Sequence, residues 1–148
     1  MRMILKSLAL LLSLFMLAGC GLQSPSKKPQ EKEAGQQQAV FDPGLGEAIK
    51  KAAMTVEGVE DSTVVVVNRE ISAAVKVAGF NRFRLKTIRE EVHKKITELN
   101  KGYEVHVTSD KKLFSQLEAI EKQITGDKVQ SPEEIQKKVS KINSDMGG

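Results

Sequence analysis

From residue 42 onward, apolar positions recur with a helical period, then alternate with a strand period, and the changes of period mark the elements. Leu45, Ala48, Ile49, Ala52, Ala53 and Val56 fall on one helical face. Asp42 suits an N-cap, Pro43 the first helical position and Gly58 a C-terminal stop, so a first helix is expected over about 43–56. Residues 62–67 are β-branched almost throughout, and in 71–77 Ile71, Ala73, Val75 and Val77 alternate onto one face. Asn68 and Arg69 between them suit a hairpin turn, and Gly79 ends the second strand. Leu85, Ile88, Val92, Ile96 and Leu99 then give an amphipathic helix over about 83–99, stopped by Asn100 and Gly102. A third strand over 103–107 turns Tyr103, Val105 and Val107 inward. A third helix follows, capped by Thr108 or Ser109 with Asp110 in its first turn; Leu113, Leu117, Ile120 and Ile124 form its buried face, Phe114 flanks it and Gly126 ends it. Ser131 with Glu134 three residues on, and Pro132 between them, form a capping-box pattern for a last helix striped by Ile135, Val139, Ile142 and Met146.

The resulting order is α-β-β-α-β-α plus a terminal helix. A hairpin joined to a third strand through a helical crossover predicts an α+β fold with one three-stranded mixed sheet, and the first two helices on one face make a two-layer sandwich. The run 64–67 is read first as a strand buried on both faces, with an exposed face or edge that pairs with a partner as the sharper alternative. The narrow stripe of the last helix fits either a docking seam for a partner or packing back onto the open sheet face.

The N-terminal region has a different pattern. Arg2 and Lys6 precede an apolar run from Ser7 to Leu17, and small residues Ala18 and Gly19 come before Cys20. This is the anatomy of a secretory signal. A spanning helix needs roughly 20 apolar residues, and this run is shorter. Cys20 is the only cysteine, so an internal disulfide is excluded. Leu17, Ala18, Gly19 and Cys20 together resemble the lipobox of bacterial lipoproteins. That resemblance implies cleavage before Cys20 and a diacylglycerol on its sulfur. Residues 1–19 are then the signal, 20–41 a lipidated cysteine with a polar, proline-bearing tether, 42–126 the α+β domain, and 127–148 a linker with the terminal helix.

Charge and composition remove several function classes. The net charge of +4 includes Arg2 and Lys6, which leave with the signal. No concentrated basic stripe with interleaved aromatics is apparent, so nucleic acid is not an expected partner. With no tryptophan and one tyrosine, an aromatic carbohydrate platform is also not expected. His93 and His106, near Glu90, Glu91 and Glu104, are the only histidines and read as solvated surface residues. Hydrolase, zinc-protease and phosphate-loop motifs do not occur, so no catalytic residue, metal ligand or cofactor is assigned.

The lipobox, the polar linker, VEGVEDSTVVVV at 56–67, ISAAVKV at 71–77, YEVHVTSD at 103–110 and the segment 120–131 form an ordered set. With that set the chain resembles, over about 56–142, the YhcN/YlaJ family of sporulation lipoproteins of endospore-forming Firmicutes. The element order also resembles BON and ring-building modules of envelope proteins. The resemblance implies a non-enzymatic module, tethered through Cys20 to the extracytoplasmic face of the cell or spore membrane, that acts in spore formation, germination or outgrowth. The partners it implies are a second copy of the chain or another envelope protein. The alternatives are a lipid- or peptidoglycan-binding envelope module and, further off, a small envelope hydrolase.

Overall fold

Asp42 begins the first helix as its sequence suggests. In the computed structural model, which describes residues 38–126 and 131–147, its Oδ1 accepts the Leu45 amide at 2.8 Å. Helix α1 (Pro43–Met54) buries Gly46, Ile49 and Ala53. It stops before Val56, where Thr55 Oγ1 donates to the Ala52 carbonyl. Val56 is buried from the turn beyond the helix, and Ala48 is exposed, so the buried face is narrower than the periodicity suggests. The signal, the lipobox and most of the tether lie outside the described residues. Residues 38–41 are already placed on the domain. Ala39 is buried, Phe41 bridges Val67, and Val40 exchanges hydrogen bonds with Asn68.

Strands β1 (Val59–Val67) and β2 (Glu70–Val77) form an antiparallel hairpin in which Val67 pairs with Glu70 and Val64 with Ala73. Asn68 turns the chain at φ 54°, a left-handed conformation that asparagine tolerates better than most residues. After β2 comes a short 3-10 helix (Gly79–Arg84) and then α2 (Leu85–Leu99). Strand β3 (Glu104–Thr108) runs parallel to β2, with Ile71 opposite Val105. The sheet order β1-β2-β3 is mixed, as the element order predicts. The amphipathic helix differs at both ends: residues 83 and 84 belong to the 3-10 turn, and Leu99 is 64 % exposed.

Alternation within β1 divides the core. Val64 and Val66 join Ile71, Ala73 and Val75 of β2 against Ile49, Ala53, Ile88, Val92 and Ile96 of α1 and α2. Val65 and Val67, with Ala74, face the other way and meet Leu117, Ile120, Ile135, Val139 and Ile142. These last come from α3 (Lys111–Thr125) and α4 (Pro132–Met146). The expected pair of layers, α1 and α2 on the sheet, is therefore present, and α3 with α4 adds a third layer on the opposite face. The run 64–67 is buried on both sides.

Two helix starts differ from expectation. Asp110 itself caps α3, with Oδ1 accepting the amides of Lys112 and Leu113 at 2.8 and 2.9 Å. Thr108 is drawn into the turn before it, its Oγ1 accepting the Asp110 amide at 3.1 Å. The capping box at Ser131 does not close. Its hydroxyl donates to Glu133 Oε2 at 3.0 Å, while the Ser131 carbonyl accepts from the backbone of Glu134 and Ile135.

The apolar stripe of α4 is used within the domain: Ile135 and Val139 are almost fully buried. Ile135→Ala should lower the unfolding free energy by about 2–5 kcal/mol, the range for truncating a large aliphatic core side chain. Urea melts monitored by circular dichroism measure it. Unchanged stability would mean that α4 does not belong to this core.

Candidate functional site

The second sheet face carries polar side chains between its valines, and the two covering helices answer them. Thr63 Oγ1 donates to Glu121 Oε2 at 2.6 Å, and Lys50 of α1 reaches Glu121 Oε1 at 3.1 Å. Glu121 thus ties α3 to β1 and to the helix on the other side of that edge strand. Ser72, fully buried in β2, donates to Asn143 Oδ1 of α4 at 2.6 Å, and Asn143 Nδ2 donates to Glu70 at 3.1 Å. A buried hydroxyl or amide left without a partner costs about 1–3 kcal/mol, so these pairs favour α3 and α4 over any merely apolar cover.

The sheet edges are also occupied. Phe41 and the Asp42 amide pair with the Val66–Val67 end of β1. On the β3 side, His93 Nε2 of α2 lies 3.2 Å from the Val105 carbonyl. With its proton on that nitrogen the ring donates to the oxygen, a device that blunts strand addition. His93 is therefore exposed but not idle. His106 projects from the opposite face of β3, half-buried, with Nε2 3.3 Å from Glu104 Oε1. The fold keeps the two histidines on different sides of the sheet. Among the described residues no three His, Cys, Asp or Glu side chains gather into a metal site. Cys20, Leu17, Ala18 and Gly19 lie outside the described residues.

Several shallow concavities lie on the surface, one of them at the end of the sheet. A cleft of about 500 Å³ opens between the end of β2, the 3-10 turn and the start of α3, lined by Glu60, Lys76, Arg82, Ser109, Lys111 and Phe114. Lys76 is held by Asp61 at 2.9 Å and lies 4.0 Å from the centre of the Phe114 ring. The Lys76 hydrogen bond chiefly, helped by the Lys76 charge and the Ser62 amide and opposed by partial burial, holds the Asp61 carboxyl below the ordinary 3.8. The same hydrogen bond to Asp61 raises the Lys76 ammonium above 10.5.

Beside the cleft, Phe80 is 84 % exposed and Phe83 fully exposed at 101 %, with Arg82 and Arg84 interleaved. No hydrophobic period along the chain marks this set. Its signal was the short string Phe80, Asn81, Arg82, Phe83, Arg84, in which aromatic and basic residues alternate. Its aromatics were open to a core assignment until the tertiary structure left them outside. Among the described residues, no helix is long and apolar enough to cross a membrane.

Three outcomes follow from these contacts. Asn143→Ala should destabilise the protein by about 1–3 kcal/mol, because the buried Ser72 hydroxyl loses its acceptor; chemical denaturation reads this out. Because the folded carboxyl of Asp61 titrates below its unfolded value, its contribution is present at neutral pH. It is lost as the pH falls from about 3.8 through the folded pKa. The stability gap between the wild type and Asp61→Asn should then close in acid, as urea melts across pH measure. Replacing both histidines by alanine should cost no more than about 0.5–1.5 kcal/mol, one ordinary hydrogen bond.

Comparison with curated proteins and with solved structures finds no match. The model of the sporulation lipoprotein YhcN/YlaJ family matches residues 21–146, from the position after Cys20 through the end of α4. That span takes in the hairpin, the crossover and the four α-helices of the described residues, so the chain belongs to the YhcN/YlaJ family of sporulation lipoproteins.

Proposed function

We propose that this protein is a non-catalytic interaction module, anchored by a lipid on Cys20 to the extracytoplasmic face of the cell or spore membrane. In this reading it works in spore formation, germination or outgrowth by holding an envelope partner or a second copy of itself near the bilayer. The observation that carries it is the family match beginning at residue 21, immediately after a cysteine preceded by Leu17, Ala18 and Gly19. The three-layer core supports it. Both sheet faces are filled by the chain's own helices and both strand edges are partly blocked, which leaves the surface outside the core for partners.

The polar side chains of the Thr63–Glu121–Lys50 and Ser72–Asn143–Glu70 sets are engaged in holding helices to the sheet. They are structural pairings rather than a convergent acid–base set around a substrate-sized cavity.

Cys20→Ala in the full-length chain tests the anchor. The expected result is accumulation of unprocessed precursor and loss of labelling by a radioactive fatty acid in a sporulating host. Normal labelling and processing of the variant would overturn the lipoprotein anchor.

A further inference from the structure

We infer that Phe80 and Phe83, together with Arg82 and Arg84, form a second membrane contact that seats the folded domain against an anionic bilayer surface. The inference rests on the membrane-anchored reading above. It names what the domain does once it is tethered.

A 3-10 helix has three residues per turn, so residues three apart share a side. Phe80 and Phe83 therefore project together, and no residue of this helix is buried. Single exposed apolar residues are ordinary on protein surfaces. Two adjacent aromatic rings, both almost wholly in water, are a different matter. They are also presented on a fixed base. The Asn81 amide donates to the Ala78 carbonyl at 2.8 Å, and the Ala78 amide donates to Gly58 at 3.1 Å. Gly58 has φ +97°, and a Cβ there would come within 2.7 Å of Ile88 Cδ1 and 3.0 Å of Asn81 Nδ2. The turn is thus clamped between the end of β2 and α2.

Charge selects the occupant. Residues 79–89 contain no acidic side chain, and the first, Glu90, lies 4.0 Å from Lys86. Among the described residues, Arg82 and Arg84 have no ion-pair partner. In the adjoining cleft Lys76 is already paired with Asp61, and Lys111 stands with Glu60, so the unpaired positive charge of this region is that of the turn itself. Protruding aromatics with guanidinium groups beside them match a bilayer interface. The rings enter the headgroup–acyl boundary while the cations remain at the phosphates. The two rings stand out from the surface and do not line the adjoining cleft, as groups that enter a bilayer interface do. The tether strengthens the case. Only residues 21–37 separate Cys20 from the folded domain, so a contact too weak to recruit a free protein would still be populated by an anchored one.

The chain has no tryptophan, so Phe83→Trp places a single reporter on the patch without touching the core. The full-length lipidated variant would be reconstituted into vesicles of phosphatidylcholine, with or without phosphatidylglycerol. Brominated acyl chains would serve as quenchers. The expected result is a blue-shifted emission quenched by bromine near the headgroups in the anionic vesicles. Adding Arg82→Glu and Arg84→Glu should lower the inserted-to-free ratio by at least about tenfold, and raised salt should lower it in the same direction. Phe80→Ser in the reporter background should lower it by about tenfold. Protein that sediments with the vesicles while its tryptophan stays solvent-exposed and unquenched overturns the second contact and leaves the anchor standing. A spectral shift that appears only on adding a cell-envelope protein extract also overturns it, in favour of a protein partner. Quenching by anionic vesicles in the Cys20→Ala chain, which carries no lipid, supports the contact independently of the anchor.

Discussion

Val64, Val65, Val66 and Val67 lie in one strand, and a strand sends successive side chains to opposite faces. That arrangement makes both sides of the sheet apolar at the same place. A three-stranded sheet with only one face covered would leave Val65, Val67 and Ala74 in water. The chain meets this constraint by placing α1 and α2 on one side and α3 and α4 on the other. Every large aliphatic stripe in the four helices is used against it. The third layer, the burial of α4 and the absence of a free sheet face all follow from the double-sided β1.

Apolar cover alone would not choose which helix goes where, and the polar positions on the second face make that choice. Thr63 needs an acceptor and finds Glu121; Ser72 needs one and finds Asn143. Each pair joins residues far apart in the chain, so each is satisfied only in the native arrangement. Because Glu121 also binds Lys50, the two helical layers are linked around the outer edge of β1. The same edge is closed at its C-terminal end by residues 38–42, through Val40, Phe41 and Asp42. A domain that blocks its own edges in this way is suited to life at high local concentration on a surface, where open strands invite aggregation.

Against that economy, the 3-10 turn is an exception. Phe80 and Phe83 contribute to neither core, although each could bury as much apolar surface as the core residues do. The turn is tied to its neighbours by the Asn81–Ala78 and Ala78–Gly58 backbone hydrogen bonds, with Asn81 packed close to Gly58. Local choices that conflict with a consistent fold concentrate where function intervenes. Phe80 and Phe83, exposed with Arg82 and Arg84 beside them, are the clearest such conflict among the described residues.

The sequence by itself determined the order of elements, the hairpin at Asn68, the cap at Asp42, the helical stripes and the lipoprotein-like N-terminus, because each depends on residues a few positions apart. It also carried the family, through motifs spread along the chain in fixed order. Tertiary structure decided what the stripes pack against. Periodicity says that Ile135, Val139 and Ile142 share a face; only the uncovered side of the sheet makes that face part of the core rather than a seam for a partner. Tertiary structure also decided that Asp110, not Thr108 or Ser109, caps α3, since the choice turns on how the chain leaves β3. The patch at Phe80 and Phe83 was hidden in the sequence for the same reason. An aromatic residue is read as core until the volume inside is seen to be filled by others, and here Ile88, Val92 and Ile96 had already filled it.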